Sequence, residues 1–235
     1  MSSVLTRLVQ HCRGHSHAQT AARLKALGFT PRVIYDIGAH QGNWTRRARS
    51  IYPAAHYILF EANFDNEPAL HASGELYYIA ALADRDGDRR ELYLPREGIN
   101  TGASFYRERS AHYASDRLRI EMVRTQRLDT LCAQHELPAP DLIKLDVQGA
   151  ELDVLTGAGG LLRGCGALIV ELSFLASNQG APLAPTVMSA IERLGFQCTD
   201  VCKLRRTRTG AVGQIDVLFT NATWYEAFRT GAGLL

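Results

Sequence analysis

No run in the chain reaches the roughly 18 apolar residues that a membrane-spanning helix requires; the longest candidate, Ala167 to Ala176, is broken by Glu171. Cysteine is scarce and unpatterned. Cys12, Cys132, Cys165, Cys198 and Cys202 make an odd count of five without C-x-x-C spacing, which argues against a disulfide framework and a thiolate zinc site and for a reducing, cytoplasmic setting. Excess charge is missing too, with 26 basic against 24 acidic side chains and a net +2, so neither nucleic acid nor a membrane is expected as a partner. The start, Met1 to Gln10, lacks the apolar stretch and cleavage site of a secretory signal. Lysine is nearly absent: three residues, Lys25, Lys144 and Lys203, against 23 arginines.

What is present suits burial. A 46% hydrophobic share with 21% charge over 235 residues predicts one globular domain, with a helical cap over 1–30 and a core over 31–222. In the cap, Val4, Leu5, Leu8 and Val9 and then Ala18, Ala21, Ala22, Leu24 and Leu27 keep helical spacing until Gly28 and Pro31 end it. Between them His11, His15 and His17 invite a metal reading, but Gly14 interrupts them and no carboxylate is near, so a solvated helix junction is expected and no metal site.

From residue 32 onward, short β-branched or aromatic runs alternate with helical stretches. Strands are predicted at Val33–Ile37, Tyr57–Glu61, Leu76–Ala80, Leu142–Val147 and Ala167–Leu172, and their near-continuous apolar character demands a parallel sheet covered on both faces. Arg90–Leu94 reads as an extra strand before a polar loop, and Ala184–Leu194 as an amphipathic helix. Phe196–Val201 and Gln214–Thr220 read as an edge hairpin whose basic turn, Lys203 to Gly213, is expected at an exposed tip.

The first strand runs through Asp36 into Gly38-Ala39-His40-Gln41-Gly42-Asn43-Trp44. Glycines there allow close backbone approach by a ligand at the carboxyl ends of the strands, and Asp36 offers a carboxylate to a nearby cation. The G-x-x-x-G spacing lacks the third glycine of a dinucleotide fingerprint, which disfavours a nicotinamide cofactor. About twenty residues on, Glu61 ends the next strand, where a nucleoside-binding fold places an acceptor for ribose hydroxyls. Further along, Lys144 and Asp146 fall on one face of a strand, one pleat apart, and a lysine in an apolar strand needs a carboxylate such as Asp146 or Glu171. Gly149 opens the following helix, and Glu151 suits the dipole of its first turn. The loop holding Asn100, Thr101 and Ser104 has the polar groups, glycines and aromatics suited to covering an acceptor.

Four ordered segments, DIGAHQGNW at 36–44, FEAN at 60–63, AALAD at 80–84 and above all LIKLDVQGAELDVLTGA at 142–158, resemble the FkbM family of S-adenosylmethionine-dependent methyltransferases. The resemblance implies the class I methyltransferase fold: an α/β, Rossmann-like, seven-stranded, mostly parallel sheet with helices on both faces and one antiparallel strand. It implies O-methylation of a hydroxyl on a small molecule such as a sugar, a glycosylated metabolite or a polyketide. By the same resemblance Asp36, Gly38, Ala39, His40, Gly42, Asn43 and Trp44 surround the methionine portion of S-adenosylmethionine. Glu61 and Ala62 take the ribose, Ala81 and Leu82 border the adenine, and Asp146 stands beside the cofactor. His40 replaces the asparagine of many relatives and Gln148 a frequent glutamate.

Methyl transfer to a hydroxyl needs in-line alignment and removal of a proton, for which Asp146 and His40 are the catalytic candidates, with Gln148 and Glu171 beside the acceptor. The arginines at 107, 109, 117, 119, 124 and 127 would suit a phosphorylated acceptor, although a solvated face is the commoner outcome. Two other readings stay open. Lys144 and Asp146 are similar to the lysine and aspartate of RNA 2′-O-methyltransferases, and a non-catalytic nucleoside-binding protein would keep the same fold. The oligomeric state, a homodimer included, is left open.

Overall fold

The computed structural model describes residues 16–95, 102–109 and 118–231. Helix α1 (His17–Ala26) is closed at its start by a capping box, in which the Ser16 hydroxyl accepts from the Gln19 N–H and the Gln19 side chain accepts from the Ser16 N–H. Then follow β1 (Val33–Ile37), α2 (Asn43–Arg49), β2 (His56–Glu61), α3 (Glu67–Ser73), β3 (Leu76–Ile79), β4 (Ala81–Leu82) and β5 (Arg89–Pro95). After them come β6 (Leu118–Gln126), α4 (Leu128–Gln134), β7 (Leu142–Leu145), α5 (Glu151–Ala158) and β8 (Ala167–Ser173). The described chain ends with α6 (Ala184–Arg193), β9 (Phe196–Arg206), β10 (Val212–Asn221) and α7 (Ala222–Gly231).

Seven strands form one sheet in the order β3-β2-β1-β7-β8-β10-β9, with β10 antiparallel to both neighbours and the other pairings parallel. The order reverses between β1 and β7, which opens a crevice at the carboxyl ends of those strands. All five residues of β1 are buried, because both faces of the sheet are covered. Val33, Tyr35 and Ile37 face a core built with α4, α5 and α6, while Ile34 faces a second core with α1, α2 and α3. The predicted strands are all present, most within one or two residues of their ends.

Three differences matter for the site. Residues 118–126 form a strand that the sequence reading missed, pairing antiparallel with β5 and parallel with β4 in a separate three-stranded sheet. Its alternation is masked because Ile120 and Met122 lie on the exposed face. Two members of the arginine run are held in ion pairs: Arg119 with Asp65 at 2.8 Å and Arg127 with Asp129 at 2.5 Å. Arg117 lies outside the described residues. Strand β9 continues to Arg206, so Lys203 and Arg205 belong to the sheet rather than to an exposed hairpin tip. Finally, α7 was not anticipated; its Trp224 meets Phe29 edge-on, with ring centroids 4.9 Å apart.

The three-stranded sheet is seated on the large one through Gly157 of α5, where an added Cβ would lie 2.0 Å from the carbonyl oxygen of Ala83. Replacing Gly157 with alanine should therefore cost about 1–3 kcal/mol in urea unfolding despite alanine's better helix propensity. A variant as stable as the parent would show that the contact is not close.

Candidate active site

The centre of the crevice is a cation inserted between two parallel strands. In the β1–β7 register Asp36 lies directly opposite Lys144, and the Lys144 Nζ is 3.1 Å from Asp36 Oδ1 and 3.9 Å from Asp146 Oδ2. The lysine's main partner is thus Asp36, not Asp146 or Glu171 as the sequence suggested, because parallel pairing sets the two side chains side by side. Asp36 is completely buried and also accepts from the Thr45 hydroxyl at 2.7 Å, so it supports the cavity wall from behind without lining it. Lys144 donates to the Gly38 carbonyl at 2.8 Å and thereby holds the glycine turn. Burial opposes its charge, but the carboxylates of Asp36, Asp146 and Glu61 outweigh that and raise its pKa.

Gly38 adopts φ +71°, and a Cβ there would sit 1.9 Å from the Asp146 carbonyl oxygen. Close approach is required by the neighbouring strand end, and Gly38 also lines the cavity. Gly42, also left-handed with φ +70°, caps α2 and does not line the cavity. Ala39, His40, Asn43 and Trp44 do line it.

Glu61 at the end of β2 is 5% exposed and faces the cavity. One of its oxygens accepts from the His40 N–H at 2.7 Å and the other from the Asn63 N–H at 2.8 Å. Burial pushes its pKa up, against those hydrogen bonds and the Lys144 charge. Beside it Ala62, Phe60, Ala80, Leu82 and Leu92 make an apolar wall. Ala80 and Leu82 line the cavity and Ala81 does not, since successive residues of an extended chain face opposite ways.

On the other side stands Asp146, one third exposed. The Gln148 Nε2 donates to Asp146 Oδ1 at 2.7 Å and to Glu171 Oε1 at 2.6 Å, so an amide bridges two carboxylates. Glu171 lies behind Gln148, off the cavity wall, and pairs with Arg205 at 2.6 Å. Its pKa is pushed up to about 8 by burial and by the charge of Asp146, against the pull of Arg205. The 146–150 turn is held by Glu151, whose Oε1 accepts from the Val147 and Gly149 N–H groups at 3.3 and 3.1 Å. Burial lifts Glu151 to about 7, so it does more than favour a helix dipole.

Ser104 lines the cavity together with Gly102, Ala103 and Phe105, while Asn100 and Thr101 fall outside the described residues. The Ser104 hydroxyl donates to the Gln148 carbonyl at 2.7 Å, and Asn178 Nδ2 donates to the same carbonyl at 2.6 Å. His17 and Asp216 are among the wall residues that went unrecognised in the sequence. His17 Nε2 lies 2.6 Å from Asp216 Oδ2, so His17 is a cavity residue tied to β10 rather than a solvated junction. Burial would raise the Asp216 pKa, but the hydrogen bond and charge of His17 hold it below the usual carboxylate range. No local signal could have joined residues 17 and 216. Among the described residues no group of three or more His, Cys, Asp or Glu side chains could hold a metal ion.

Comparison with known proteins adds to this geometry. The sequence profile of the Methyltransferase FkbM domain matches residues 36–198. The AMB antimetabolite synthetase AmbE of Pseudomonas aeruginosa is 33% identical over 200 residues, which cover 70% of this chain and 9% of that protein. The 2-O-methyltransferase NoeI of Sinorhizobium fredii is 30% identical over 141 residues, covering 53% of this chain and 56% of NoeI. The chain thus spans less than two thirds of either relative. Among solved structures, N-methyltransferase NodS from Bradyrhizobium japonicum, in complex with S-adenosyl-L-homocysteine, is similar with a TM-score of 0.49 at 10% identity, over 88% of this chain and 86% of that one. Human N-acetylserotonin methyltransferase in complex with SAM gives 0.44 at 13% identity, over 87% and 51%.

Two measurements follow from the electrostatics. Lys144→Met should lose about 3–5 kcal/mol in urea unfolding by stranding Asp36, and Asp36→Asn added to it should recover a large part; a simple sum of the single effects would show that the pair is not coupled. Glu151, with its folded pKa raised from 4.5 to about 7, contributes stability that is full below 4.5 and is lost as pH rises through about 7. Glu151→Gln should flatten the fall in unfolding free energy over that window, by up to roughly 1.4 kcal/mol per pH unit. An unchanged slope would place Glu151 among solvated carboxylates.

Proposed function

The chain belongs to the FkbM family of S-adenosylmethionine-dependent methyltransferases, and we propose that it transfers the methyl group to a hydroxyl of a small molecule, a sugar or a glycosylated or polyketide-type metabolite. The observation that carries the nucleoside part is Glu61. Its carboxylate is fixed from behind by the two main-chain donors, which leaves lone pairs for two neighbouring hydroxyls at the cavity wall. The wall of Phe60, Ala80, Leu82 and Leu92 suits a planar base, and the turn at Gly38, Ala39 and His40 brings main chain to the cavity. S-adenosylmethionine therefore fits the residues present, and when bound it supplies an electrophilic methyl group on a sulfonium.

The acceptor hydroxyl is a weak nucleophile, so the protein must orient it and take up its proton. Asp146 lies on the cavity wall with one oxygen held by Gln148 and the other facing Lys144. These donors keep it fixed, which suits orienting a hydroxyl by accepting its hydrogen bond. His40 is the second catalytic candidate, since it lines the same cavity and an imidazole nitrogen can accept a proton. The wall segment 102–105 contributes Ser104 and Phe105 to cover the acceptor and exclude water. The O-methyl specificity is supported by the similarity to NoeI, a 2-O-methyltransferase.

Isothermal titration should show S-adenosylmethionine and S-adenosylhomocysteine binding without NADH binding, and Glu61→Ala should lose about tenfold or more in affinity. NADH binding, or an unaffected Glu61→Ala variant, would overturn the cofactor assignment. In a screen begun with sugars and glycosylated metabolites, Asp146→Asn should retain cofactor affinity and lose about 10²-fold or more in turnover. Equal turnover would remove Asp146 from the chemistry.

A further inference from the structure

A second cavity shares part of its wall with the first. Four residues, His17, Trp44, Arg47 and Lys203, line both, so the two meet along a shared edge made by α1, α2 and β9. The second cavity has a volume of about 450 Å³, with Ala18, Ala21, Ala48 and Ile51 on its walls. Trp44 and Arg47 are one helical turn apart on α2, which places their side chains on the same face.

The charges at this junction are unevenly matched. Lys144 is taken by Asp36 and Asp146, Arg205 by Glu171, and Asp216 by His17. Glu61 is satisfied by main-chain N–H groups. Lys203 stands opposite Asp216 in the β9–β10 register, but the Asp216 Oδ2 is already bonded to His17 at 2.6 Å. Arg47 and Lys203 are both exposed and, among the described residues, form neither an ion pair nor a side-chain hydrogen bond. Lys203 acts on Asp216 at longer range, and two cations outside any ion pair therefore stand with an indole ring on the wall that the two cavities share. A guanidinium and an ammonium so placed favour an anionic oxygen group, and a half-buried indole favours the face of a sugar ring.

We infer that this junction is an acceptor subsite for a sugar, or a similar cyclic polyol, that bears a phosphate or carboxylate, with Arg47 and Lys203 holding the anion and Trp44 the ring. The inference rests on the methyl-transfer reading and deepens it. The reacting hydroxyl lies toward Asp146, and the anionic group lies toward the second cavity.

The test is titration of the protein saturated with S-adenosylhomocysteine, using glucose 1-phosphate, glucuronate and glucose. The two anionic sugars should bind about tenfold or more tighter than glucose, and added salt should weaken them. Preference for glucose 1-phosphate or for glucuronate identifies which anion the subsite takes. Arg47→Gln with Lys203→Gln should abolish the preference, whereas Arg163→Gln with Arg208→Gln, an equal change of charge on exposed residues elsewhere, should leave it intact. Equal affinity for glucose and the anionic sugars, or an equal loss in the control variant, would overturn the subsite. So would an Arg47→Gln variant that loses S-adenosylhomocysteine and keeps the anionic sugars, because Arg47 would then serve the cofactor. If the wild type binds the anionic sugars but not S-adenosylhomocysteine, the methyl-transfer reading fails and the anion subsite stands.

Discussion

A lysine buried between two parallel strands sets the geometry on which this site depends. Desolvating an ammonium is expensive, and Lys144 is kept in place chiefly by Asp36, which lies across the strand pair at 3.1 Å. The same ammonium holds the Gly38 carbonyl and faces Asp146, so one charge fixes the glycine turn of β1 relative to the carboxylate that follows β7. Gly38 completes the constraint, since a side chain there would collide with the Asp146 carbonyl. The two ends of the crevice are therefore positioned against each other before any ligand arrives.

Around that centre the buried acids are given four kinds of partner. Asp36 takes a lysine and a threonine hydroxyl, Glu61 and Glu151 take main-chain N–H groups, Asp216 takes a histidine, and Glu171 takes an arginine and an amide. The choice of partner divides their behaviour. Asp216, paired with His17, is held below the usual carboxylate range, whereas burial dominates at Glu61, Glu151 and Glu171 and raises all three. Asp146 differs from all of these in being partly exposed at the cavity wall, which is where a group that meets substrate has to be.

The sheet was readable from sequence because strands buried on both faces have continuous apolar runs, as in Val33–Ile37 and Ala167–Ser173. Strand β6 escaped because charged residues alternate with apolar ones that point outward, so its pattern resembles a solvated segment. In the site, Glu61, His40 and Asp146 sit at strand ends and in turns where fold rules place ligands, and the structure puts them on one cavity. The partners of Lys144 and His17 were hidden, because they depend on sheet register and on contacts across 108 and 199 residues of chain. Similarly, reading Lys203 and Arg205 as a hairpin tip followed from underestimating how far β9 extends. Propensity falls off in such a basic stretch while cross-strand pairing continues.

Gln148 is held at both ends. Its amide spans Asp146 and Glu171, and its carbonyl receives the Ser104 hydroxyl and the Asn178 amide. Segment 102–109 is further joined to the 177–179 turn by main-chain bonds from Arg109 to Ser177 and from Gln179 to Arg107. The cover of the cavity and the carboxylate at its wall are thus parts of one mechanical unit. A ligand that displaces Ser104 pulls on the main chain two residues from Asp146, so fit at the mouth of the site is transmitted to the position of that carboxylate.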